Sequence, residues 1–235
     1  MKKQILSLIL LLWSKSMFAA DISLEVKQRI ESLFPAGAEL KITPFDNTLI
    51  EVVLDTQVYF ASHDGRYLFV DRVIDIERRQ NVTELKAQKI RKDIISQLPD
   101  KMRLNFPAVG TTKQTITVFT DIDCPYCRQL HDSIAGLNEK GIAVNYVMLP
   151  RAGLNSKSYH KAVSAVCAPD PQQAMTQAMS GKPLKKRVCD NTIAEQLKLA
   201  SRLGIGSTPV TLLPSGEKKV GLFSVDAMTK LLKLQ

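Results

Sequence analysis

The sequence predicts a protein that joins an α+β half to an α/β half through a helix. Between residues 39 and 77, short runs of β-branched and aromatic residues are typical of a small antiparallel sheet. Apolar residues then recur at helical spacing from Val82 to Leu98. In the second half, strand and helix patterns alternate, which favours a sheet with helices packed against it.

Length and composition exclude several classes of protein. The chain has 235 residues, enough for one large domain or two small ones. Its 45% hydrophobic and 23% charged content excludes wholesale disorder, collagen-like repeats and a many-span membrane protein. The net charge of +9 is modest, and 6% aromatic content offers no base-stacking platform, so we expect no nucleic acid as a partner.

Residues 1–20 are predicted to be a secretory signal peptide. Lys2-Lys3 precedes an apolar run from Ile5 to Trp13, and small residues follow at Ala19-Ala20. The run is too short for the roughly 20 residues of a membrane-spanning helix. Export would place the mature chain in an oxidising compartment, where cysteines form disulfides.

Residues 21–79 are predicted to form an N-terminal domain. A short helix extends from Ile22 to Phe34 and stops at Pro35. Among the strand-like runs that follow, Asp64-Gly65 is typical of a hairpin turn, because such a turn needs positive φ. The sheet is too small to bury a core by itself, which favours self-association.

Residues 80–105 are predicted to form a linker built on one helix. Asn81, with Glu84 three residues later, is typical of a capping box, and Pro99 ends the helix. About 20 residues of helix would make a semi-rigid spacer of roughly 30 Å. Its basic side chains are expected to face solvent: Lys86, Lys89, Arg91 and Lys92.

Residues 106–235 are predicted to form the second domain. The expected order is a strand at 115–120, a helix at 125–137, a strand at 143–149, helical segments across 156–203, strands at 210–213 and 219–223, and a final helix. A strand–helix–strand start followed by an antiparallel hairpin favours a mixed sheet.

The sequence Cys124-Pro125-Tyr126-Cys127 lies directly between a predicted strand and the helix that follows. This position places Cys124 at a helix N-terminus, where free N–H groups and the helix dipole favour a thiolate. Pro125 suits the first helical turn. A stabilised thiolate is a populated nucleophile and a good leaving group, so we expect a redox-active pair with Cys127 as the buried resolving thiol. Of the nearby charges, Arg128 would favour the thiolate, whereas Asp121 and Asp123 would oppose it.

Other uses of this pair have less support. A zinc site would need a second close pair of ligands, but Cys167 and Cys189 are 22 residues apart, so we expect no metal. A Cys–His hydrolase using His131 or His160 has no supporting motif, and His131 is more typical of a surface or core histidine. Since no flavin or phosphate-binding fingerprint occurs, we expect no cofactor.

Two further features belong to the same domain. In an exported protein, Cys167 and Cys189 are expected to form a structural disulfide, with two inert buried thiols as the alternative. Thr208-Pro209, at the start of a predicted strand, is where a cis peptide bond would place backbone beside an active site, with an ordinary trans turn as the alternative.

These motifs together resemble the thioredoxin superfamily. Phe119-Thr120-Asp121-Ile122-Asp123 precedes the Cys-Pro-Tyr-Cys sequence, and Gly206-Ser207-Thr208-Pro209 follows about 85 residues later. The match is closer to the periplasmic disulfide isomerases of the DsbC/DsbG type. It implies a V-shaped homodimer joined through cystatin-like N-terminal domains, and a C-terminal thioredoxin fold with a helical insertion. Two redox sites would then face a shared apolar cleft.

The resemblance also implies roles for individual residues. Cys124 corresponds to the attacking cysteine and Cys127 to the resolving one. Pro125-Tyr126 and the cis-proline loop Thr208-Pro209 would contact substrate. Cys167 and Cys189 match the second disulfide of the DsbC-like branch, whereas Pro-Tyr between the active cysteines resembles the DsbG-like branch.

The function implied is that of a periplasmic isomerase that reduces and reshuffles wrong disulfides in misoxidised or unfolded exported proteins. A membrane thiol reductase of the DsbD type would supply electrons. Two alternatives stay open: a DsbG-like reductase of single oxidised thiols (sulfenic acids), and a dimeric holdase chaperone or assembly factor whose cleft is the functional part.

Overall fold

A computed structural model describes residues 21–234, so the signal peptide predicted over residues 1–20 lies outside the described residues. The first unit contains helix α1 (Leu24–Glu31), strands β1 (Leu40–Pro44), β2 (Leu49–Leu54), β3 (Gln57–Ser62) and β4 (Leu68–Phe69), and the short strands β5 (Ile74–Asp75) and β6 (Gln80–Asn81). Strands β1 to β4 form one antiparallel sheet in that order, and β5 pairs with β6. The antiparallel sheet predicted for this half is confirmed.

A helix covers each face of the four-stranded sheet. Ile50 and Val52 of β2 pack with Ile30 of α1 on one face. Val58 and Phe60 of β3 lie on the other face and pack against helix α2 (Val82–Ser96). Because successive strand residues point to opposite faces, a sheet with apolar residues on both needs two covering layers. The linker helix supplies the second layer, which the sequence analysis did not foresee.

The turns and ends of this unit follow local chemistry. The predicted turn at Asp64-Gly65 joins β3 to β4, with Gly65 at φ +66°. A tighter turn at Asp55-Thr56 joins β2 to β3, with Asp55 in the left-handed region at φ +54°. It contains no glycine, and the sequence analysis missed it. Helix α1 is shorter than predicted: Ser23 caps its start by accepting the N–H of Val26 at 3.3 Å, and the helix ends at Glu31.

Helix α2 begins where the sequence predicts and ends earlier. The side chain of Asn81 accepts the N–H of Glu84 at 3.0 Å, which confirms the cap. The helix has 15 residues, so its length is about 22 Å rather than 30 Å. The prediction that Arg91 faces solvent is wrong: its side chain is only 4% exposed, because this side of the helix lies against the second unit.

The second unit is a five-stranded mixed sheet with helices packed on it. Its elements are β7 (Leu104–Phe106), β8 (Gln114–Thr120), α3 (Pro125–Asp132), α4 (Ile134–Glu139), β9 (Ile142–Met148), α5 (Lys157–Val166), α6 (Pro171–Met179), α7 (Ile193–Arg202), β10 (Val210–Leu212), β11 (Lys218–Val220) and α8 (Val225–Leu231). The strand order is β11-β10-β8-β9-β7, with β8 and β9 parallel and the other pairs antiparallel. The predicted mixed sheet is confirmed.

The core of this unit centres on β9, in which every residue is buried. Three details differ from the prediction. The helix expected over 125–137 breaks at Ser133 into α3 and α4. The helical stretch expected over 156–203 is three helices, with no regular structure between 180 and 192. Edge strand β7 was missed, because three residues are too few to show an alternating pattern.

None of the helices described between residues 21 and 234 is long and apolar enough to cross a membrane.

Candidate active site

Cys124 is the N-cap residue of α3, the helix that follows strand β8. A short turn after Thr120 brings the N–H of Cys124 to 3.0 Å from the carbonyl of Asp121. Pro125 occupies the first helical turn, where a backbone N–H would have no partner within the helix, so the N–H that proline lacks costs no hydrogen bond. The thiol of Cys124 therefore lies among the free N–H groups of a helix start, as the sequence predicts.

Cys127 lies one turn further along α3 and is fully buried. The backbone N–H of Asp121 donates to its sulfur at 3.5 Å. Both Cys124 and Cys127 are free thiols. Cys124 is buried as well, but its neighbours Pro125 and Tyr126 are exposed, Tyr126 by 60%. The pair thus lies just beneath a surface formed by the two residues between the cysteines.

Thr208-Pro209 completes the site from 84 residues away. The peptide bond between these residues is cis. The Cys124 thiol donates to the Thr208 carbonyl oxygen at 3.3 Å. The Thr208 hydroxyl is buried and has no well-aligned hydrogen bond within the part of the chain that the structure describes. It lies beside both sulfur atoms and acts to lower the pKa of each.

The two thiols differ in acidity. Burial acts to raise the pKa of Cys124, but the Thr208 hydroxyl beside the sulfur, the Cys127 N–H and thiol, and the Tyr126 N–H together outweigh it. The pKa of Cys124 is therefore below its ordinary value. Burial raises the pKa of Cys127 to about 11, because its hydrogen bonds offset only part of the desolvation. At neutral pH, Cys124 is the better nucleophile and Cys127 keeps its proton.

Asp121 is a buried carboxylate that holds the active-site turn in place. Its oxygens accept from the Asp123 N–H at 2.9 Å, from the Arg151 N–H at 3.0 Å and from the Ser158 hydroxyl. Burial acts to raise the pKa of Asp121, and these hydrogen bonds outweigh it and lower the pKa. Ser158 and Arg151 were missed by the sequence analysis, because no local signal links them to a residue 30 or more positions away.

The other charges near the site pair with one another. Asp123 contacts Arg128 at 3.3 Å and Lys161 at 2.5 Å. Arg128 also donates its Nε–H to the Ile122 carbonyl at 2.9 Å. From the sequence, Arg128 was predicted to favour the Cys124 thiolate and Asp123 to oppose it. Their mutual pairing cancels much of either effect, and hydrogen bonds with burial set the pKa of Cys124.

His131 lies in the core rather than at the site. Its ring nitrogens contact the Tyr146 hydroxyl at 3.1 Å and the Thr176 hydroxyl at 3.0 Å. Since Thr176 donates its own proton to the Gln172 carbonyl, His131 donates to Thr176 and accepts from Tyr146. Burial lowers the pKa of His131 to about 4, so the ring is neutral. His131 braces α3 against β9 and α6.

Cys167 and Cys189 are joined by a disulfide, with a Cα–Cα distance of 5.7 Å. The bond ties the end of α5 to the irregular segment before α7. It makes no hydrogen bond to the free pair. Within residues 21–234, no group of His, Cys, Asp and Glu side chains is arranged to hold a metal ion.

Comparison with known proteins matches both units. A model of a thioredoxin-like domain matches residues 107–235, and one of a disulfide bond isomerase N-terminal domain matches residues 17–84. The chain is 31% identical over 220 residues to the thiol:disulfide interchange protein DsbC of Salmonella typhimurium, covering 92% of this chain and 89% of that one. The Escherichia coli K12 protein of the same name is 30% identical over 89% of this chain and 86% of its own length. A crystal structure of a disulfide interchange protein from Neisseria gonorrhoeae matches with 27% identity and a TM-score of 0.52, covering 58% of this chain and 96% of that one.

Proposed function

The chain belongs to the DsbC family of thiol:disulfide interchange proteins and is a disulfide isomerase, and we propose that Cys124, Cys127 and Thr208-Pro209 carry its reaction. The observation that supports this assignment is the difference between the two thiols. Cys124 lies at a helix N-terminus with a lowered pKa, while Cys127 is buried with a raised one. A nucleophile and a reserve thiol are thereby placed one helical turn apart.

The first step is attack by the Cys124 thiolate on a wrong disulfide of a client protein. One Cys124–client disulfide forms, and the second client sulfur leaves as a thiolate. If another client thiolate then attacks the client sulfur of this mixed disulfide, a rearranged client disulfide forms and Cys124 leaves as a thiolate. Electrons balance within the client, so this isomerase cycle needs no reductant.

The mixed disulfide can also be resolved by Cys127, which is the second exit from it. Its thiol loses a proton and attacks the Cys124 sulfur, which releases the client thiol and leaves a Cys124–Cys127 disulfide. The client is reduced by two electrons and the protein is oxidised by two. A membrane thiol reductase of the DsbD type would return the two electrons. The raised pKa of Cys127 makes this exit slow at neutral pH, which favours the isomerase cycle.

Client binding is assigned to the surface around Cys124. Pro125 and Tyr126 are exposed beside the thiol, and Thr208-Pro209 closes the other side, with the Thr208 carbonyl 3.3 Å from the Cys124 sulfur. A client segment lying between them would present its disulfide to Cys124. The clients are misoxidised or unfolded exported proteins, in agreement with the signal peptide predicted over residues 1–20.

The protein is further proposed to be a periplasmic homodimer joined through its N-terminal units. The edge strand β4 pairs only with β3 in the described residues. Phe69 of β4 and its neighbours Tyr67 and Val70 are large apolar or aromatic residues that remain exposed. An apolar edge strand of this kind is suited to pairing with a second chain.

The deciding experiment measures refolding of a scrambled multi-disulfide substrate by the reduced protein, alongside dithiol oxidation by the oxidised protein. Fast unscrambling with weak net oxidation is the expected result. Strong oxidation without unscrambling would contradict the proposed cycle. If the Cys124→Ser/Cys127→Ser protein still suppresses aggregation of a cysteine-free client, that result would support the holdase alternative. Selective reduction of a sulfenic acid on a single-cysteine client would support the DsbG-like one.

A further inference from the structure

Helix α2 is packed between the two units and is not a free spacer. Its residues up to Ile90 contribute apolar side chains to the N-terminal core, next to Val58 and Phe60: Val82, Ala87 and Ile90. Its second half and the residues after it contribute to a core of the second unit, next to Leu199 and Leu203: Ile94, Ile95 and Leu98. One short helix therefore belongs to two cores.

The turn between β10 and β11 lies directly on the backbone of α2. Gly216, at the tip of this turn, has φ +84°. A Cβ atom on Gly216 would lie 2.0 Å from the Gln88 carbonyl oxygen and 2.7 Å from the Lys92 nitrogen. These are helix backbone atoms that cannot rotate away, so any side chain at position 216 has to displace the turn from the helix.

The charged side chain of Arg91 stabilises this contact. Its Nε–H donates to the Gly216 carbonyl at 2.8 Å, and its guanidinium pairs with Glu84. A buried cation is tolerated only when its donors are satisfied. Glu84 lies on α2 itself, but the Gly216 carbonyl is available to Arg91 only while the turn lies on the helix. Lys89 on the same helix is exposed.

In a second contact, a turn of the N-terminal unit lies against a helix of the second unit. The β2–β3 turn of the N-terminal unit meets the end of α7. The Thr56 hydroxyl, which is buried, donates to the Arg202 carbonyl at 2.7 Å. Arg202 in turn donates its Nε–H to the Asp55 carboxylate at 3.2 Å. This contact satisfies a carbonyl at the C-terminal end of a helix, where carbonyls lack intrahelical partners.

The two contacts flank the loop that carries Thr208-Pro209. Arg202 lies just before this loop, and Gly216 follows strand β10 just after it. We infer that Gly216 and Arg91 are positioning residues, which hold the catalytic unit in one orientation on the linker helix so that Cys124 faces a client bound between subunits. The inference rests on the proposed dimeric isomerase, because a fixed orientation matters most when one client is shared by two sites.

The physical consequence concerns a large client rather than the chemistry of the thiol. Cys124 and its hydrogen-bond partners lie within the second unit, so a looser joint leaves them intact. A client held in the dimer would then meet Cys124 at a lower effective concentration, because the catalytic unit samples many orientations. Isomerisation should fall while reduction of a small exposed disulfide is kept.

The test compares Gly216→Ala with Gly110→Ala. Gly110 has φ +71° and no atom within 4 Å of its virtual Cβ, so it carries the same backbone strain without the steric conflict. Gly216→Ala should slow the unscrambling of a multi-disulfide protein about tenfold, leave the reduction of a small peptide disulfide unchanged, and broaden the distance distribution from small-angle X-ray scattering. Gly110→Ala should match the unaltered protein in all three.

Arg91→Met, with Lys89→Met as its control, tests the same joint without touching the turn. It should show the same selective loss, and Arg91→Lys should restore part of the isomerase rate. Unchanged unscrambling in both Gly216→Ala and Arg91→Met would overturn the inference. An equal loss of peptide reduction would overturn it as well, because that outcome indicates damage to the catalytic unit. If the unaltered protein fails to unscramble, the proposed function is wrong, and the scattering comparison still decides whether the joint is fixed.

Discussion

The two cysteine pairs of this protein lie in the same unit and have opposite properties. Cys124 and Cys127 are buried yet are free thiols, while Cys189 is exposed and bonded to the half-buried Cys167. Exposure therefore does not decide which pair reacts. The free pair has a helix start and directed donors that stabilise one thiolate, whereas the bonded pair closes a loop between two helices. Local hydrogen bonding lowers the pKa of one thiol of the first pair, and the second pair cross-links a loop.

The largest effect is expected from removing the attacking sulfur. Cys124→Ser should reduce unscrambling to the uncatalysed rate, because a serine hydroxyl is not ionised at neutral pH. Cys127→Ser keeps the nucleophile and should accumulate client adducts, visible on a non-reducing gel. Full isomerase turnover in Cys124→Ser would show that the free pair is not the reactive one.

The second effect concerns the bonded pair and is expected in stability. Replacing Cys167 and Cys189 together by serine should lower the free energy of unfolding by about 3 kcal/mol, because the cross-link closes a loop of 22 residues. Denaturant unfolding measures this loss. The thiolate absorbance of Cys124 near 240 nm should titrate as before. A shifted titration would mean that the two pairs are coupled.

The third effect is a pH dependence that separates the two free thiols. The pKa of Cys127 is raised from 9.0 to about 11 in the folded protein, mainly by burial. Its contribution to stability is fully present below pH 9 and is lost as pH rises through 11, about 3 kcal/mol in all. Cys124 has the opposite sign: its contribution is complete above pH 9 and is lost as pH falls through its lowered pKa.

Denaturant unfolding of the reduced protein between pH 8 and about 11 measures this difference. The control is Cys127→Ala, whose free energy of unfolding should fall less steeply at alkaline pH. Other groups that titrate there, such as the buried Tyr146, contribute equally to both proteins, so the difference between the two curves reports Cys127. Equal declines in both proteins would mean that folding does not raise the pKa of Cys127.

The smallest effect is expected from the hydroxyl beside the free pair. Thr208→Val should raise the pKa of Cys124, because it removes a buried hydroxyl that lies beside the sulfur and acts to lower that pKa. Alkylation of Cys124 by iodoacetamide near neutral pH should slow several-fold. Thr208→Ser keeps the hydroxyl and should retain the rate. Equal rates in all three proteins would mean that the helix start alone stabilises the thiolate.

Sequence patterns predicted the parts of this site that depend on neighbours along the chain. The strand before Cys124, Pro125 in the first turn of α3 and the Asn81 cap of α2 all depend on residues within about four positions. Local hydrogen bonds and chain geometry are enough to produce them. Thr208-Pro209 was predicted locally as a candidate cis bond at a strand start, and the resemblance to a known family connected it to Cys124, which no local rule does.

Long-range packing decided the rest. The anchoring of Asp121 by Ser158 and Arg151, and the burial of Arg91 against Gly216, join residues 30 to 125 positions apart. The sequence pattern of an amphipathic helix predicts that its basic residues face solvent. Packing against a second unit can bury such a residue, and no local pattern shows that unit.

By itself, the sequence predicted an α+β half, an α/β half, a helix between them and a cysteine at a helix start, since each depends on local spacing and turn chemistry. Only the tertiary structure decided that the helix is shared by two cores and that Thr208 faces the sulfurs. The physical reason is that burial and the directions of hydrogen bonds are properties of surfaces brought together by folding.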